Sequence, residues 1–104
     1  MILEITEATY LDDYKIKLIF NQKIERLVNL EFELNGEIFE PLQDKEYFRS
    51  FFIDCGTISW NNGADIAPEY LYFISKSMKE VSSKEEKEIE AMVEELYAFE
   101  KVGT

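Results

Sequence analysis

Two carboxylates, Asp54 and Asp65, a single cysteine, Cys55, and a single tryptophan, Trp60, fall within one short stretch of this chain. Paired carboxylates can run acid–base chemistry without histidine. Asn61, Asn62 and Asp65 also offer oxygen ligands to a hard cation. Their spacing does not match a calcium-binding loop. The competing reading is that Asp65 and the asparagines bond backbone amides of a turn, as such side chains commonly do. Trp60 and nearby aromatics would line a ligand cleft or, more simply, belong to the core. Cys55 has only Asp54 and Gly56 beside it, and neither supplies the positive charge that lowers a thiol pKa.

The chain contains no histidine. That removes the usual general base near neutral pH and every Ser-His or Cys-His nucleophile pair. Gly36, Gly56, Gly63 and Gly103 are isolated, so no phosphate-cradling loop is present. No catalytic, cofactor-binding or metal-binding residue is assigned, and no cofactor is expected. A small-ligand or metal-dependent enzyme using Asp54 and Asp65 beside Trp60 and Asn62 is retained as an alternative.

The elements that carry these residues must fit into 104 residues, the size of one domain. A 46% hydrophobic and 14% aromatic content is enough to build a core. Lys and Arg number 11 against 22 Asp and Glu, a net charge of −11. Such a charge repels nucleic acid and anionic membranes, and it suits solubility or a basic protein partner. A single cysteine permits no internal disulfide. Without an N-terminal basic–apolar leader or a run near the ~20 apolar residues of a membrane span, the expectation is a cytoplasmic protein that does not enter membranes.

Tyr14, Ile16, Leu18 and Phe20 alternate with Lys15, Lys17 and Ile19, a strand with one dry face. Ile2 to Tyr10 reads as its hairpin partner across Asp12-Asp13, with a β-bulge near Thr6 to reconcile a change of parity. A third strand starts at Ile24 and is followed to about Leu30; alternation continues toward Leu34, but Leu27, Leu30, Glu31 and Leu34 fit a helical turn as well. Asp44 caps a short helix through Phe48 and Ser50. Phe51–Asp54 and Thr57–Trp60 form a second hairpin, with Gly56 at positive φ. This assigns Phe51 or Phe52, Ile53, Ile58 and Trp60 to the core. Pro68 opens a helix carrying Leu71, Ile74 and Met78. Ser83 and Glu86 form a capping-box pattern before an amphipathic helix of nearly twenty residues. The fold class is therefore α+β: a small, mostly antiparallel sheet built from β-hairpins, short helices and a C-terminal amphipathic helix. A compact unit spans 1–78, and 79–104 forms the terminal helix, belonging to the same domain or to an oligomer interface.

Phe39-Glu40-Pro41-Leu42, Asp44 to Phe48 and, above all, the run from Trp60 to Tyr72 resemble a family of small bacterial proteins, the domain of unknown function 2442. Its usual run is Trp-Pro-Asn-Gly-x-Asp-Ile/Leu-x-Pro-Glu followed by Leu-Tyr. This chain keeps it apart from Asn61, where proline is common. The resemblance covers about residues 2–75 and implies a compact α+β domain. Some relatives are joined to a helix-turn-helix domain; the stretch after Tyr72 is expected to be too short for one, so direct nucleic-acid binding by this chain alone is not expected. Others look like half of a toxin–antitoxin-like gene pair. No catalytic residue comes with the resemblance.

The leading expectation is a non-enzymatic protein-interaction module, the antitoxin-like or regulatory half of a pair, with a structural homodimer as an alternative. Trp60, Asn62, Asp65 and Glu69 form its candidate recognition loop. In the terminal helix, Ile89, Met92, Val93, Leu96 and Phe99 form the candidate partner or dimer stripe. The same motif also has a fold-making reading. Trp60 ends a strand, Asn62-Gly63 turns the chain, Asp65 bonds free amides near the next helix and Pro68 starts it.

Overall fold

In a computed structural model, residues 2–98 are described. Strands β1 (Ile5–Asp12), β2 (Lys15–Phe20) and β3 (Ile24–Asn29) form an antiparallel meander. The pairing of β1 with β2 slips between Ile5 and Glu7, at the parity change read around Thr6. A second slip lies between Tyr10 and Asp12. On the inner face, Ile16, Leu18, Phe20, Ile24 and Val28 are buried, as the period of two requires.

Beyond Asn29 the chain leaves the sheet. Leu30 and Leu34 stay buried in a turn while Phe32 is 81% exposed. The alternation after Leu30 therefore reflects two apolar anchors of a loop rather than a continued strand. A 3-10 segment, Glu37–Gln43, leads to helix α1 (Lys45–Phe48), whose first turn is capped by the Asp44 side chain accepting from the Glu46 amide. Strands β4 (Phe52–Asp54) and β5 (Thr57–Ser59) form the second hairpin. Gly56 has φ +76 at its tip. Ile58 and Trp60 are core residues, but Ile53 is 38% exposed: β4 runs along the surface, and Phe52 is exposed as well.

Helix α2 (Pro68–Ile74) stops short of Met78. Ser75 is extended and its hydroxyl bonds the Tyr72 carbonyl, after which β6 (Lys76–Ser77) pairs with β3. Met78 lies beyond that edge, its amide bonded to the Glu25 carbonyl and its side chain exposed. Helix α3 (Lys84–Leu96) has 13 residues, and Ser83 accepts from the Glu86 amide at its start; the expected helix beyond residue 98 lies outside the described residues. The four-stranded sheet has the order β1-β2-β3-β6. Its inner face packs with α2 and α3 into one core that includes Leu71, Tyr72, Ile89 and Val93. This is an α+β fold. Among the described residues, no helix is long and apolar enough to cross a membrane.

Candidate functional site

The run from Trp60 to Glu69 is pinned by hydrogen bonds within itself and to neighbouring segments. Trp60 is 1% exposed, and its indole Nε1 donates to the Phe48 carbonyl at 2.7 Å. Asn62 accepts from the Ala64 amide and donates to the Ile38 carbonyl. Gly63, at φ +90, closes the turn by donating to the Trp60 carbonyl. Asp65 is exposed and joins the hairpin through a backbone bridge to Ser59. The expected capping of α2 does not occur: its N-cap is Ala67, with no side-chain cap bond. Pro68 occupies the first turn, where a missing N–H costs nothing. Trp60 and Asn62 are thus engaged within the fold, while Glu69 stands half-buried on the first turn of α2.

Glu69 faces a cleft of about 520 Å³ that sequence reading did not anticipate. Pro68 and Glu69 of α2 form one side, with Met92 and Leu96 of α3. Ile2, Leu3, Glu4 and Cys55 complete the lining. One residue of the candidate loop and two of the candidate stripe therefore meet at one place. Ile89 and Val93 are buried in the protein's own core, and Phe99 lies outside the described residues.

Each wall is held by identifiable bonds. Asn21 clamps the N-terminal segment: its side chain accepts from the Glu4 amide and donates to the Ile2 carbonyl, while its own amide donates to the Glu4 carbonyl. The Ile5 amide then donates to the Gly56 carbonyl at 2.8 Å, joining this segment to the second hairpin. A Cβ on Gly56 would lie 3.0 Å from Cγ of Glu4, so glycine is needed there for close approach as well as for its positive φ.

The α3 wall is anchored through Arg26. This β3 residue is 3% exposed and directs all five guanidinium N–H groups to acceptors. Nε donates to Ser75 Oγ, Nη2 to the Tyr72 and Ser75 carbonyls, and Nη1 to Glu86 and Glu90. The guanidinium also lies 4.1 Å from the centre of the Tyr72 ring. Two of its acceptors are carbonyls at the C-terminal end of α2, where the helix dipole favours a cation. The Tyr72 hydroxyl donates to the Glu86 carbonyl, and burial pushes its pKa up to about 12. Farther along, the Tyr97 ring lies 5.0 Å from that of Phe73. Local sequence gave no sign of the Arg26 cluster, because its partners lie 46 to 64 residues away.

The carboxylates considered for catalysis occupy different settings. Asp54 is exposed on β4, with the Cys55 thiol 3.8 Å from its Oδ1. Among the described residues, no group of three or more His, Cys, Asp or Glu side chains is placed to hold a metal ion.

A family profile described as Protein of unknown function (DUF2442) matches residues 5–77. The chain belongs to this family. The match takes in every strand, α1 and α2, and ends before α3, so domain of unknown function 2442 accounts for three of the cleft's contributors and not for the α3 wall. No curated protein and no solved structure matches the chain significantly.

Proposed function

We propose that this member of the family is a non-enzymatic protein-interaction module, the antitoxin-like or regulatory half of a small bacterial gene pair. The supporting observation is the cleft at the seam between the family domain and α3. There Met92 and the 59% exposed Leu96 adjoin Leu3 and Pro68 on a surface whose backbone is tied down on both sides. A fixed apolar surface with a charged edge is suited to docking a partner, because little further ordering is needed on binding. The reading has the protein act in the cytoplasm, where a lone exposed cysteine such as Cys55 remains a thiol.

The test is co-expression with the product of the adjacent gene, followed by light scattering on the purified material. A defined complex of the two chains is expected. Recovery of the two proteins as separate species at micromolar concentration would overturn the proposal.

A further inference from the structure

The cleft carries a chemical preference. Among the described residues, its charged lining is Glu4 and Glu69, with no Lys or Arg, and its apolar surface comes from residues such as Leu3, Met92 and Leu96. The whole chain adds a net charge of −11. A basic group approaching this surface is attracted at long range and meets a carboxylate beside an apolar wall. Arginine and lysine suit that combination, since their aliphatic stems can cover apolar surface while the charged heads remain at the rim. The unbranched Met92 can adjust to side chains of different shape. An acidic segment would encounter like charge at the same position.

Resting on the interaction reading above, we propose that the occupant of this cleft is a segment of a partner protein in which Arg or Lys flanks an apolar residue. The apolar side chain sits against Leu3, Met92 and Leu96, and the basic groups pair with Glu4 and Glu69. Because the pairs lie at a solvent-open rim, they set selectivity and salt dependence more than total affinity.

The experiment uses the full chain with its methionine methyl groups carbon-13 labelled, titrated with a short peptide of alternating Leu and Arg and, separately, with the Leu-Glu counterpart. The Leu-Arg peptide is expected to shift the Met92 methyl signal saturably, less strongly as salt rises, and the Leu-Glu peptide to leave it in place. Glu4→Gln combined with Glu69→Gln is expected to weaken Leu-Arg binding about tenfold, corresponding to ~1.4 kcal/mol. Equal response to both peptides would overturn the proposal. So would a Leu-Arg response of the Met92 methyl that is unchanged in the Glu4→Gln, Glu69→Gln double variant. If removing residues 99–104 alone shifts the Met92 signal as the peptide does, the chain's own end is the occupant and the proposal fails. A gene partner that binds the double variant as tightly as the parent would overturn this occupant chemistry while leaving the interaction module standing. Absence of any complex with that partner would strike the module instead.

Discussion

Nη1 of Arg26 lies 3.2 Å from Oε2 of Glu86, and the two side chains are 4% and 1% exposed. A buried pair gains little over a well-packed apolar replacement, but removing one partner strands the other charge. Arg26→Ala should therefore lower stability by about 3–5 kcal/mol. Combining Arg26→Met with Glu86→Leu should cost less than Arg26→Ala alone. Urea unfolding of these variants checks both the loss and its partial recovery.

Tyr72 gives this cluster a pH signature. Burial raises its pKa from 10.0 to about 12, with the nearby Arg26 charge opposing the rise. Between those values the unfolded chain loses the phenolic proton while the folded protein keeps it. The folded state then holds more protons than the unfolded one, so this contribution to stability falls as pH rises from about 10 to about 12. Thermal unfolding across that window should show a smaller alkaline loss in Tyr72→Phe than in the parent.

Gly56→Ala should be destabilising by more than about 1 kcal/mol, because it combines positive φ with a Cβ 3.0 Å from Glu4. The strain falls on a cleft wall. Amide exchange should therefore quicken at Glu4 and Ile5 more than in the β2–β3 pair.

Ser83→Ala removes the oxygen that accepts from the Glu86 amide, at a cost of about 1 kcal/mol. The affected helix includes Glu86, Met92 and Leu96. Circular dichroism should show earlier thermal loss of helix, and hydrogen exchange should place that loss in α3.

What the sequence disclosed depended on how local its cause was. The hairpins, the slip beside Thr6, the positive φ of Gly56 and the capping roles of Asp44 and Ser83 each arise within a few residues, and each was readable. The end of α2 was not. Helical spacing carries the eye to Met78, but Ser75 is bonded by Arg26 and β6 pairs with β3, interactions that come from distant parts of the chain. Nothing near Arg26 in the sequence marked it, for the same reason. Ile53 was assigned inward by a strand pattern too short to identify which layer, if any, lay over it. The cleft depends on three-dimensional convergence: Glu69 belonged to one motif, Met92 and Leu96 to another, and Glu4 to neither.

Leu96 offers the most direct test of the docking account, since its side chain is 59% exposed beside the cleft and contributes little to the core. Calorimetric titration of the adjacent gene's product into the parent and into Leu96→Asp compares their affinities, with unfolding temperature measured on both. The account predicts binding at least about tenfold weaker, ~1.4 kcal/mol or more, with little change in stability. Equal affinity for the two proteins would contradict it.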